Sequence, residues 1–266
     1  MEASSTIVAS IVILGGIGSL CGLMLYIASK FFATEVDPRI GELVKMLPGA
    51  NCGACGFAGC ARFAAGIIDG KALPDACKVV DEPTSASIFS YLGLENHPAA
   101  RSVASLRCQG SNDVVGRRSE YHGIRSCRAA ALFAGGDKAC LQGCLGYGDC
   151  ITVCPFDAIR LGDVGIIVID RDKCTGCGTC IPECPKNVLA LIPRTAQVSA
   201  ACFSIERGKK VSQVCKKGCI ACKRCEKVCP VDAIHVEDNR VNINYEKCDN
   251  CGQCVDACPT GSLLRV

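Results

Sequence analysis

The sequence predicts an α+β protein: one N-terminal transmembrane helix, a small cysteine-held domain, and two tandem cysteine-box units. Three observations carry this prediction. No charged residue lies between Ala3 and Ser29. Of the 266 residues, 25 are cysteine. The C-terminal half repeats a cysteine-proline box, with copies ending at Cys154-Pro155, Cys184-Pro185, Cys229-Pro230 and Cys258-Pro259.

Residues 1–33 form the anchor. The apolar run Ile7 to Ala28, "IVASIVILGGIGSLCGLMLYIA", would be roughly 33 Å long as a helix, enough to cross the hydrocarbon layer. A cleaved signal peptide is the alternative, but no basic segment precedes the run and the run is long for one. Lys30, Arg39 and Lys45 follow the span and Glu2 precedes it. The positive-inside rule then expects a single pass through the plasma membrane, with everything after residue 30 in the cytoplasm. That compartment keeps thiols reduced, which weighs against a disulfide framework. Gly16, Gly18 and Gly22 imitate a dinucleotide fingerprint, yet that motif needs a preceding strand. The small pairs Gly15/Ser19 and Gly18/Gly22 better suit packing against another membrane helix. Cys21 reads as a small packing residue.

Residues 34–95 hold the first box. Cys52, Cys55 and Cys60 are spaced C-x2-C-x4-C, and Cys77 follows after sixteen intervening residues. Three close thiolates plus a remote one fit a four-iron, four-sulfur (4Fe-4S) cube. Structural zinc accepts the same four ligands and stays open at this point. After Cys60, "ARFAAGIIDG" reads as a short helix closed by Gly70. Residues 78 to 107 are turn-rich, with one apolar element, "IFSYLGL", and read as linker; 96–139 is expected to be a linker or accessory region.

The remaining boxes are stronger signals. Three of the four read C-x2-C-x2-C-x3-C-P, the bacterial ferredoxin run. The exception, "CLQGCLGYGDCITVCP", reads C-x3-C-x5-C-x3-C-P, with Gly143, Gly146 and Gly148 in the widened part. Glycine can absorb such extra turns. Two ferredoxin-like units are therefore expected at 140–193 and 215–266, joined by a linker at 194–214. In two-cluster ferredoxins the fourth cysteine of each box ligates the other cluster. That rule assigns Cys140, Cys144, Cys150 and Cys184 to one cube, and Cys154, Cys174, Cys177 and Cys180 to the next. It gives Cys219, Cys222, Cys225 and Cys258 to a third, and Cys229, Cys248, Cys251 and Cys254 to a fourth. Between the boxes, "GIIVID" and "RVNINY" read as strands.

Five cubes use twenty cysteines. Cys108, Cys127, Cys202 and Cys215 are left over, one pair ahead of each ferredoxin-like unit. Two readings stand: idle thiols, or a sixth cube held by these four.

The chain has no C-x-x-C-H haem site and no P-loop. No set of residues suggests catalysis on an organic substrate, and a net charge of +3 points to no nucleic-acid partner. Eight basic residues lie between Arg207 and Lys227, against Glu206 and Glu226. Such a stretch is either a solvated face or a surface that steers an acidic partner.

With its N-terminal helix, its "NCGACGFAGC" box, its widened "CLQGCLGYGDC" box and its tandem units, the chain resembles the B subunit of the Rnf complex. The resemblance spans nearly the whole chain and is most specific at residues 49–77 and 108–185. It implies an electron-transfer subunit of an ion-translocating oxidoreductase. Soluble ferredoxin would be the donor, integral-membrane subunits the partners, and Na+ or H+ the pumped ion. Many members end after one ferredoxin unit, whereas this chain has two. An anchored polyferredoxin without a pump, or a methyl-transfer accessory like the corrinoid iron-sulfur proteins, are the other readings; no region large enough for a barrel supports the latter.

Overall fold

The computed structural model describes residues 2–31 (backbone alone for 2–10), 37–95 and 101–266. It divides into two units, Met1–Glu42 and Leu43–Val266.

The first unit is dominated by α1 (Glu2–Phe31). Among the described residues it is the one helix long and apolar enough to cross a bilayer, over Ile11–Phe31, and none of that stretch is buried in the protein. The three glycines of the imitation fingerprint lie inside this continuous helix, so no strand precedes them and that motif is excluded.

The division falls within α2 (Pro38–Met46). Next comes α3 (Cys60–Ile68), which buries Phe63, Ala64 and Ile67; Gly70 ends the helix in the left-handed region. A 3-10 turn over Pro74–Ala76 then leads into Cys77. The segment read as linker instead contains α4 (Glu82–Leu92), which buries Ile88 and Phe89 and stops at left-handed Gly93. Its Pro83 sits in the first turn, where a missing N–H costs nothing.

The rest of the chain is a twice-used plan. The first copy runs β1 (Ser102–Leu106), α5 (Cys127–Leu132), α6 (Asp149–Thr152), β2 (Ile159–Leu161), β3 (Ile167–Ile169) and β4 (Leu189–Pro193). The second runs β5 (Val198–Ala200), α7 (Gly208–Val214), α8 (Arg224–Lys227), β6 (Ile234–Glu237), β7 (Arg240–Ile243), α9 (Gln253–Asp256) and β8 (Leu263–Arg265). Each copy has an inner antiparallel hairpin, β2–β3 or β6–β7, and an outer antiparallel pair, β1–β4 or β5–β8. In the outer pair of the first copy, Ser102 faces Pro193 and Leu106 faces Leu189.

This corrects the expected boundaries. The opening strand of each copy comes from residues read as linker, 96–139 and 194–214. "SVASL" and "VSA" are too short and too rich in small residues to announce strands on their own. Their pairing with β4 and β8 makes them strands, and packing context outweighs intrinsic preference in such cases.

Each copy has its own small core. The first gathers Val103, Ile159, Ile167, Val188 and Ile192 around Cys144, Cys150, Cys174 and Cys180. The second gathers Ile234, Val236, Val241 and Leu263 around Cys219 and Cys225. Cores this thin bury little apolar surface, and domains of this size commonly depend on metals. The copies also touch. The Ser105 and Ser199 hydroxyls are 2.7 Å apart, and the Gln109 amide donates to the Gly261 carbonyl at 2.6 Å. Arg107 and Arg240 lie over the Phe203 ring at 4.4 and 4.9 Å from its centroid, a cation–π arrangement.

Candidate metal centres

Every cysteine in the chain is a free thiol. The question is how the fold groups them. In the second copy the grouping follows the spacing. Cys219, Cys222, Cys225 and Cys258 line a recess of about 300 Å³, and Cys229, Cys248, Cys251 and Cys254 line another of about 330 Å³. The short helices α8 and α9 carry the third cysteine of each box, Cys225 and Cys254. Backbone and hydroxyl groups point at sulfur: the Ala233 N–H donates to Cys229 Sγ at 3.3 Å, and the Ser262 hydroxyl lies 3.3 Å from Cys258 Sγ.

In the first copy, Cys154, Cys174 and Cys177 are near Cys180, as the spacing predicts. β1 contributes the Ala104 N–H, which donates to Cys174 Sγ at 3.3 Å. In the N-terminal box, Cys52 and Cys55 are near Cys77, whose sulfur accepts from the N–H groups of Val79 and Val80. Cys60 opens α3, and Asn51 fixes its N–H with a 2.8 Å hydrogen bond.

The widened box departs from the expectation. Cys144, Cys150 and Cys184 do share a recess, of about 350 Å³, but the fourth cysteine lining it is Cys127 and not Cys140. Cys140 instead lines a recess of about 420 Å³ together with Cys108, Cys202 and Cys215. The two residues have exchanged places relative to the spacing rule. The physical reason is the widening itself. A box spaced C-x3-C-x5-C no longer wraps its first cysteine around the same centre as the next two. The vacated position is filled from upstream by α5. Asp149, inside the widened box, holds that helix in place: its carboxylate accepts from the Cys127 N–H at 2.8 Å and from the Arg128 N–H and Ser126 hydroxyl at 2.9 Å. Burial opposes the charge of Asp149, but those donors hold its carboxyl below the usual carboxylate range. Asp149 had no signal of its own in the sequence.

The residues fit four-iron cubes. Four cysteines around one small recess are the cube's donor set, and the N–H groups aimed at sulfur are the second layer such sites use. Zinc fits less well, because it needs its sulfurs about 2.3 Å from one point. Among the described residues no group of His, Cys, Asp or Glu is placed to hold a single ion. Burial pushes the thiols of Cys140 and Cys144 up to about 11, and those of Cys150 and Cys180 up to about 12. These groups keep their protons until iron displaces them, so loading releases protons and metal binding is coupled to order.

A membrane-associated chain of cysteine-lined recesses is an iron-sulfur electron-transfer protein of the polyferredoxin kind. Comparison with known proteins places it further. Family models match at residues 47–79, described as "Putative Fe-S cluster", and at 139–188 and 218–262, each described as a 4Fe-4S dicluster domain. A second dicluster model matches across 173–234; the strand pairs and cores follow the first framing, since β1–β4 and β5–β8 each close one copy. The chain is 43% identical to the B subunit of the Na(+)-translocating ferredoxin:NAD(+) oxidoreductase complex of Acetobacterium woodii, over 97% of this chain and 78% of the relative. It is 41% identical to the B subunit of the ion-translocating oxidoreductase complex of Methanosarcina acetivorans, over 98% of both. It is 39% identical to the B subunit of the proton-translocating ferredoxin:NAD(+) oxidoreductase complex of Clostridium ljungdahlii, over 98% of this chain and 93% of the relative. The chain belongs to the family of Rnf B subunits, the B subunits of ion-translocating oxidoreductase complexes.

Proposed function

We propose that this protein receives electrons from a reduced soluble ferredoxin and conducts them to integral-membrane partner subunits, in a complex that couples the transfer to Na+ or H+ translocation. The chain would hold cubes at Cys52, Cys55, Cys60 and Cys77; at Cys127, Cys144, Cys150 and Cys184; at Cys154, Cys174, Cys177 and Cys180; at Cys219, Cys222, Cys225 and Cys258; and at Cys229, Cys248, Cys251 and Cys254. Each cube, when bound, accepts and releases one electron at a time. The polypeptide holds the sulfurs, supplies N–H donors to them and excludes water. Crossed ligation between boxes keeps paired centres close.

One observation carries the choice of donor. All eight basic residues between Arg207 and Lys227 are exposed, and the same stretch of chain carries Cys222, itself exposed. A ferredoxin with an acidic surface would be steered to this edge, where the electron has the least protein to cross. The names of the relatives support the pump, and Lys30, Arg39 and Lys45 support a cytoplasmic placement of the cysteine domains.

Purification of the full chain from membranes in mild detergent tests the reading. A component of a pump carries hydrophobic multi-span proteins with it in fixed ratio. Recovery of the chain alone under several detergents leaves an anchored polyferredoxin, and the pumping role is then abandoned.

A further inference from the structure

We propose that Cys108, Cys140, Cys202 and Cys215 hold a further four-iron cube, set between the two ferredoxin-like copies. The inference rests on the reading that the thiol recesses take cubes. It adds a site that neither stretch matching as a dicluster domain, 139–188 or 218–262, contains in full.

The four thiols come from four segments and line one recess. Cys108 follows β1 and Cys202 follows β5, each two residues beyond its strand. They therefore hold the same place in the two copies. Cys215 closes α7, and Cys140 opens the widened box. Antiparallel pairing between Val115 and Cys215 ties the segment after β1 to the second copy.

One hydrogen bond is common to all four sulfurs, although Cys202 also accepts from the Cys219 N–H and Cys215 from the Gly218 N–H. Cys108 accepts from the N–H of Gly110 at 3.2 Å. Cys140 accepts from Gln142, Cys202 from Ser204 and Cys215 from Lys217. In each case the donor is two residues further along the chain. The Cys144 N–H donates to Cys108 as well, at 3.4 Å. Idle thiols have no reason to share this pattern, whereas cluster sulfurs are commonly tuned by it.

Charge gives a second line. Lys138 lines the same recess and is almost wholly buried, 1% exposed. Its ammonium donates to the Gly110 carbonyl at 2.7 Å; neither that bond nor its longer one to Gly165 involves a carboxylate. A buried cation held by carbonyls is costly unless an anion stands near. Buried Asp137 beside it is one such anion, but its carboxylate is shared with the Arg117 guanidinium; a cube with four thiolate ligands is a net anion and would supply another.

The test is iron and acid-labile sulfide per full chain, purified anaerobically, with spin counting of the reduced protein. Six cubes give about 24 irons and five give about 20, by the four-iron stoichiometry. Removing two ligands together, Cys202→Ala with Cys215→Ala, should lower the count by about four irons. Onto that double variant, Cys108→Ala or Cys140→Ala should then cost no further iron, whereas Cys127→Ala should cost more, because it belongs to another cube. A wild-type value near 20, unchanged in the double variant, overturns the sixth cube and leaves the other five standing. The reverse order, with Cys140→Ala costing iron and Cys127→Ala costing none, overturns the ligand set. An iron content near zero in wild type brings down the reading of the recesses as cube sites. If the double variant fails to fold, the wild-type iron and spin counts still decide between five and six.

Discussion

The carboxylate of Asp149 accepts the backbone N–H of Cys127 at 2.8 Å, across 22 residues of chain. A residue inserted in the widened box thus sets the position of a cysteine that lies outside it. The insertion removes Cys140 from one recess and also supplies the group that installs its replacement.

Asp149→Ala should therefore weaken one centre selectively. Losing a helix cap with charged hydrogen bonds costs about 2 kcal/mol. The anaerobic unfolding midpoint should fall, and iron should leave faster to a ferrous chelator, in a first phase of no more than four irons per chain by the cube stoichiometry. Asp149→Asn keeps one acceptor oxygen and should lie between. Uniform loss of iron from all centres would contradict a local role.

Deleting residues 1–33 should release a soluble, brown protein with its iron retained. Every cysteine except Cys21 lies within the Leu43–Val266 unit. Sedimentation and iron analysis of the fragment check this. A fragment that stays in membranes without partners would mean that the first helix is not the sole anchor.

Electron transfer from reduced ferredoxin should slow as salt is added, because steering between exposed charges is screened within a Debye length of about 8 Å at physiological ionic strength. Lys216→Glu with Lys217→Glu should lower the second-order rate about tenfold at low salt and leave iron content unchanged. Stopped-flow rates that ignore both salt and charge reversal would rule out docking at this edge.

Gly146 gives a test of the widened loop. Its φ of +77° is one that side chains rarely adopt, and a Cβ there would run into the carbonyl oxygen of Gly165, in the turn between β2 and β3. Gly146→Ala should cost roughly 3 kcal/mol, combining left-handed strain with a backbone collision. Gly261, with φ +63° and open space around its position, offers the control, where Ala should cost about 1 kcal/mol. Anaerobic denaturation of the two variants side by side reads the difference.

Much of this was legible in the sequence because the signals are local. An apolar run makes α1 whatever residues come after it, and C-x2-C-x2-C brings three sulfurs to one centre through a few residues of backbone. β1 and β5 were not legible. Three to five small residues say little until β4 and β8 pair with them, and those partners lie far along the chain. The exchange of Cys127 and Cys140 was hidden for the same reason. Spacing assigns a ligand by proximity in sequence, while the fold assigns it by Asp149 and by the end of α7. The one available hint was the irregular spacing of the box, a warning that its first cysteine need not belong with its second.

The recess shared by Cys108, Cys140, Cys202 and Cys215 also imposes an order in time. A little over a hundred residues separate the first of these cysteines from the last. At 5–20 residues per second, synthesis leaves Cys108 and Cys140 waiting on the order of ten seconds for their partners. During that interval Cys140 is four residues from Cys144 and free to join the wrong centre. The ribosome completes the first copy's remaining recesses earlier, so on the proposed assignment filling them promptly, with Cys127 held by Asp149, would keep Cys140 available. Iron supply during synthesis, as well as the folded structure, would then determine whether each chain emerges with its sulfurs correctly sorted.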